Sequence, residues 1–187
     1  MSSLLDRLRA ETKSQHEQME SVFRLPETRA DLIHWLGVFL GFLEPLENKI
    51  TALLGPSHPL LIDRLKTPWL IEDLRAHGMS DPVIAALPRC EALPSLASPA
   101  HAAGALYVFE GSTLGGQFIS RHLESKLGLK DGVGYRYFRS YGADVGLRWQ
   151  EFRAWMLKHS SANTDDVIIQ SADETFARLR SWSTSRQ

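Results

Sequence analysis

Apolar side chains recur at intervals of three and four over most of the chain, the pattern of amphipathic helices. Leu5, Leu8, Thr12, His16, Met19 and Phe23 form one such stripe and predict a first helix that carries His16. Leu32, Trp35, Leu36, Phe39, Leu40, Leu43, Leu46, Ile50 and Leu53 form a second, from about Arg29 to Leu54. Pro45 lies inside it and predicts a kink, and Gly55-Pro56 ends it. A short helix is predicted near Leu60–Lys66. Thr67-Pro68 then reads as an N-cap followed by proline in the first helical position, opening a helix near Trp69–His77 that stops at Gly78. The stretch Ser80–Ser98 holds three prolines and reads as a connection with one turn of helix. Ser98-Pro99 opens a helix toward Leu127 and Gly128, interrupted by Gly111, Gly115 and Gly116. Residues Gly128–Gly142 read as an aromatic-rich loop. Two last helices follow, near Ala143–His159 and Thr164–Trp182, the second capped by Asn163-Thr164 with acids behind. No strand alternation and no repeat occurs. The pattern predicts an all-α fold, a multi-helix bundle forming one domain over residues 1–187.

Composition changes this picture little. The chain has 187 residues, a formal net charge of −1, 43% hydrophobic and 23% charged residues. These values fit one core and give no global pull toward nucleic acid or membrane. The single cysteine, Cys90, cannot form an internal disulfide, and the first residues lack the apolar core of a signal peptide, so a cytoplasmic setting is expected. No run reaches the roughly 18 apolar residues of a membrane span.

Candidate chemistry begins on the first helix. Arg9, Lys13, His16 and Glu20 share one of its sides. At helical rise, Lys13 lies roughly 4.5 Å and Arg9 roughly 10 Å along the axis from His16. An imidazole there suits a metal ligand, Glu20 suits a group that orients the ring, and the cations suit carboxylates of a bulky ligand. Spacing alone fits equally a histidine at the edge of an apolar stripe among solvated charges. Gly111, Gly115 and Gly116 are the second feature. Each costs about 1 kcal/mol relative to alanine inside a helix. A bare backbone surface for a flat ligand explains them, and so does close packing of a neighbouring helix or a kink. No strand precedes them and the GxGxxG spacing is missing, which argues against a built-in nicotinamide or flavin site. Paired ExxH motifs of a di-iron bundle are missing too.

At this point the residues resemble a known family. Leu8-Arg-Ala-Glu-Thr-Lys-Ser-Gln-His16-Glu-Gln-Met-Glu20 is similar to the proximal helix of haem (heme) oxygenases, and Glu110-Gly-Ser-Thr-Leu-Gly-Gly-Gln117 to their distal helix. Tyr141-Gly, Trp149-Gln-Glu-Phe-Arg153 and Asp173-Glu-Thr-Phe176 fit in order, especially to the bacterial branch that accompanies bacteriophytochromes. The resemblance implies haem held between a proximal and a kinked distal helix. It implies that His16 is the axial iron ligand, with Glu20 one turn on, and that Arg9, Lys13 and Arg153 meet the propionates. Gly111, Gly115 and Gly116 match the distal glycines, and Phe176 lines the pocket. Ser112 stands where many members carry an aspartate, which leaves proton delivery to Ser112, to water or to a group not yet placed.

The implied activity is cleavage of haem, both substrate and cofactor, to biliverdin, Fe2+ and CO, using O2 and an external electron donor such as a ferredoxin or flavoprotein reductase. The implied use is supply of bilin to a bacteriophytochrome, or release of iron. Between Arg121 and Lys158 eight Lys/Arg face four Asp/Glu, an excess that fits an acidic donor or an ordinary solvated surface. The alternative on the same fold is a haem-binding carrier or sensor without turnover.

Overall fold

The computed structural model describes residues 3–187. Among them run α1 (Leu4–Glu11), α2 (Lys13–Val22), α3 (Arg29–Leu54), α4 (Thr67–Ala76), α5 (Asp81–Ala85), α6 (Pro99–Leu127), α7 (Arg136–Arg139), a 3-10 turn (Gly142–Asp144), α8 (Val145–Lys158) and α9 (Asp165–Thr184). No strand occurs among the described residues, as the all-α reading expected. No helix among them is long and apolar enough to cross a membrane.

The first stripe is two helices rather than one. They meet at Thr12, whose hydroxyl donates to the Leu8 carbonyl at 2.7 Å. Such a back-bond competes with regular helix geometry. Arg9 therefore belongs to a different helix from Lys13, His16 and Glu20.

Helix α3 continues through Pro45. Proline lacks the N–H that would reach the Gly41 carbonyl. The backbone N–H of Cys90 donates to that oxygen instead, at 2.8 Å. Gly41 makes this approach possible, because a Cβ there would lie 2.5 Å from the Pro88 carbonyl oxygen and 2.7 Å from the Trp182 ring.

The segment Leu60–Lys66 forms turns, not the expected helix, and Asp63 takes φ +57°. A left-handed residue does not continue a right-handed helix. Thr67 is not the N-cap of α4. The Glu47 carboxylate on α3 accepts the N–H groups of Lys66 and Thr67, at 2.6 and 3.0 Å, and so serves the free donors at this end.

Helix α6 is helical throughout its 29 residues, with no break at Gly111, Gly115 or Gly116, and stops at Gly128 with φ +67°. It packs most extensively on α9. Gly104 allows this, since a Cβ there would sit 2.2 Å from the Ile168 carbonyl oxygen. Inside the expected aromatic loop lies the single turn of α7. The Asp73 carboxylate on α4 accepts the N–H groups of Arg136 and Tyr137 at its start, at 2.7 and 2.8 Å. The core joins Leu36, Leu40 and Leu43 of α3 to Leu70 and Leu74 of α4, Ala102 and Ala105 of α6, Phe152 of α8 and Ala172 and Leu179 of α9.

Candidate active site between α2 and α6

A cleft of about 690 Å³ opens between α2, α6, α7 and α9. That volume suits a sizeable organic ligand. Its walls are mostly apolar, with Met19, Phe23, Phe39, Val108, Phe109, Phe138, Phe176 and Leu179. His16 and Glu20 line it from α2. Gly111, Ser112, Gly115 and Gly116 line it from α6.

The His16 side chain is 55% exposed, and its Nδ1 lies 3.6 Å from Glu20 Oε1. That gap is too long for a hydrogen bond but holds the carboxylate beside the ring. The ring stands edge-on to Phe176 at 5.8 Å. By contrast His58, His77, His101, His122 and His159 each commit a ring nitrogen to a hydrogen bond. His16 is the imidazole in the cleft wall.

The three glycines separate into two kinds. A Cβ on Gly116 would lie 2.4 Å from the Phe138 carbonyl oxygen, so this glycine admits the backbone of α7. Close packing, one of the explanations the sequence allowed, holds there. A Cβ on Gly111 would meet the Trp149 ring at an ordinary 3.7 Å, and one on Gly115 would meet nothing within 4 Å. No packing contact among the described residues requires glycine at these two positions, although both pay the helix cost.

Ser112 donates its hydroxyl to the Phe109 carbonyl at 2.9 Å. Its proton is engaged within its own helix, and its lone pairs remain free to accept.

The expected cations fall outside the lining. Lys13 is 73% exposed and pairs with Glu17 at 3.7 Å. Arg9 and Arg153 stand together near Asp6 and Tyr107, where both help hold the Asp6 carboxyl below its usual range behind the larger effect of its Ser3 hydrogen bonds. The structure thus brings His16, Glu20, Gly111, Ser112, Gly115, Gly116 and Phe176 into one cleft and leaves Arg9, Lys13 and Arg153 beyond it.

Sequence reasoning missed a buried ionic cluster behind α6. The Glu110 carboxylate accepts from Arg64 at Oε2, and from Lys66 Nζ at 2.9 Å and the Tyr141 hydroxyl at 2.7 Å at Oε1. Lys66 also donates to the Tyr141 oxygen at 2.5 Å and lies 4.7 Å from the Trp69 ring centre. Lys66 and Glu110 are both fully enclosed, yet Lys66 lines the cleft. Burial lowers the Lys66 ammonium from its ordinary range, with Glu110 opposing. Burial raises the Tyr141 hydroxyl, and Glu110 adds to this. The one available signal was an acid, Glu110, directly after the apolar run Leu106–Phe109.

A family model described as "Heme oxygenase" matches residues 2–185. The chain belongs to the haem oxygenase family. It is 35% identical over 143 residues to a heme oxygenase of Xanthomonas campestris pv. campestris (strain 8004), covering 74% of this chain and 78% of the relative. The structure of heme oxygenase from Leptospira interrogans superposes with a TM-score of 0.75 over 98% of this chain and 100% of that one. At 18% identity that likeness concerns the fold. As a haem oxygenase the protein is a haem-degrading oxidoreductase, and haem is its substrate.

Proposed function

We propose that haem binds in the cleft between α2 and α6 with His16 as its iron ligand and is cleaved there to biliverdin, Fe2+ and CO. One observation carries this reading. His16 and Gly115 line the same apolar cleft, and no contact among the described residues explains why residue 115 lacks a side chain. A planar macrocycle lying against bare backbone does explain it. The residues therefore fit the group, with an imidazole on one wall, glycine on another and aromatic rings around.

Bound there, haem supplies the iron at which O2 is reduced and the ring that is opened, with electrons from an external donor of the ferredoxin or flavoprotein type. The chain does the rest. His16 offers a neutral nitrogen ligand, which favours ring chemistry over the O–O cleavage that a thiolate promotes. Glu20, beside Nδ1, is placed to orient the ring once the iron holds the other nitrogen. Gly111 and Gly115 let the substrate approach α6 while offering no strong side-chain donor. Phe23, Phe138 and Phe176 exclude water from the ring faces. Lys13, one turn from His16 on α2, is the expected cation best placed to meet a propionate at the cleft. Arg9 and Arg153 face Asp6 and Tyr107 instead. The setting we propose is the cytosol, with the bilin passing to a bacteriophytochrome or the iron being the useful product.

The test is to mix the protein with haemin, add ascorbate in air and follow the spectrum. The Soret band decays as a broad red biliverdin band grows. A Soret band that persists through the reaction leaves only a haem carrier or sensor, the reading favoured by the engaged hydroxyl of Ser112.

A further inference from the structure

A second cleft of about 600 Å³ lies on the far side of the buried ionic cluster, lined by Trp69, Arg136, Ser140, Tyr141 and Arg148 among others. Tyr141 lines this outer cleft, Lys66 lines the inner one, and Glu110 Oε1 accepts a hydrogen bond from each. Tyr141 and Lys66 also bond directly, at 2.5 Å. The cluster thus forms an unbroken polar chain between two cavities. We propose that Tyr141, Glu110 and Lys66 form a proton relay from the outer cleft to the haem cleft. The proposal rests on the haem reading of the inner cleft.

Reduction of O2 consumes protons, and the hydroxyls of Ser112 and Thr113 on the α6 wall of the cleft are engaged with the Phe109 and Glu110 carbonyls. The steps balance. One proton leaves Lys66 Nζ for an acceptor in the inner cleft, and the ammonium becomes an amine. As one proton enters Tyr141 from water in the outer cleft, the Tyr141 hydroxyl proton passes to that amine by way of Glu110 Oε1, so that no tyrosinate is left beside the carboxylate. Glu110 ends as it began, a carboxylate, held by Arg64, which itself reaches Glu151 at 3.3 Å. Burial destabilises the Lys66 cation, so proton release is easier than from a solvated lysine. Low polarity around the chain strengthens each hydrogen bond along it. Arg64 anchors the chain and carries no proton along it, because a guanidinium does not deprotonate.

The test reads proton exchange at Lys66, not turnover. Protein labelled with 15N-lysine is loaded with zinc protoporphyrin, which fills the inner cleft, and exchange of the Lys66 ammonium protons with water is followed by lysine-selective NMR. With the inner side covered, the relay is their route to solvent. Tyr141→Phe is expected to slow exchange about tenfold, the scale of one lost charge-assisted hydrogen bond. A purely structural Tyr141 predicts the reverse, because loosened packing speeds exchange; unchanged or faster exchange in Tyr141→Phe overturns the relay. The parent protein gives a second reading should the variant not fold. Lys66 protons that exchange within one spectrum support the relay, and protons that persist for hours contradict it. Failure of zinc protoporphyrin to bind contradicts the haem site itself, whereas binding with unchanged exchange contradicts the relay alone.

Discussion

Gly115 and Gly116 are adjacent on one helix, yet the same substitution at each has opposite consequences. At Gly115 an alanine Cβ meets nothing within 4 Å, and the residue already has helical geometry. Gly115→Ala therefore stabilises the ligand-free protein by about 1 kcal/mol, the helix preference of alanine over glycine. At Gly116 the Cβ would lie 2.4 Å from the Phe138 carbonyl oxygen, so α7 must retreat by about an ångström to restore normal contact. The atom met is backbone, tied at the start of its turn by Asp73. Overpacking of this kind costs up to about 3 kcal/mol, and the alanine preference returns about 1, a net loss of about 2 kcal/mol. Urea denaturation of both variants, followed by circular dichroism, measures the difference directly. The ligand side is read with Gly115→Leu, which keeps a stable fold but weakens haemin binding by about tenfold or more in a Soret titration, because the side chain enters the space against α6. Equal stability changes for the two alanine variants refute the distinction between the glycines. Parent-like haemin affinity in Gly115→Leu refutes the bare-surface argument.

Two further predictions concern buried carboxylates. Burial pushes Asp73 up to about 7 from 3.8, against its two N–H donors. Between those values the folded state holds the extra proton, so Asp73 makes stability fall as pH rises. Three units correspond to roughly 4 kcal/mol. The stability difference between the parent and Asp73→Asn should shift by this order between about pH 4 and pH 7, and a pH-independent difference counts against the assignment. Glu47→Ala leaves the N–H groups of Lys66 and Thr67 unpaired at the start of α4. The expected loss is about 2–4 kcal/mol in urea denaturation, smaller in Glu47→Gln, and a loss below about 1 contradicts the capping role.

The elements that periodicity predicted are those whose apolar stripes face one core for many turns, such as α3, α6 and α9. What escaped depends on contacts between distant segments. Thr12 divides the first stripe because its hydroxyl bonds to Leu8, and a single threonine in an apolar stripe does not announce this. The turns at residues 60–66 look helical by pattern, but Asp63 takes a left-handed backbone there. The cap of α4 comes from Glu47, nineteen residues earlier in the chain, and not from the local Thr67. Within the site, His16, Glu20, Ser112, Phe176 and the glycines line one cleft. Spacing could not say that Gly116 serves α7 while Gly115 serves open space. Nor could it pair Lys66 with Glu110, 44 positions away. Nor could spacing say that Arg9 and Arg153 come together near Tyr107.

The measurement closest to the central claim uses His16→Ala with haemin and ascorbate in air, with and without added imidazole. Turnover should collapse in the variant while haemin still enters the apolar cleft, and imidazole should restore both the parent-like Soret band and bilin formation. Degradation of haem by His16→Ala at the parent rate, without imidazole, would contradict His16 as the iron ligand.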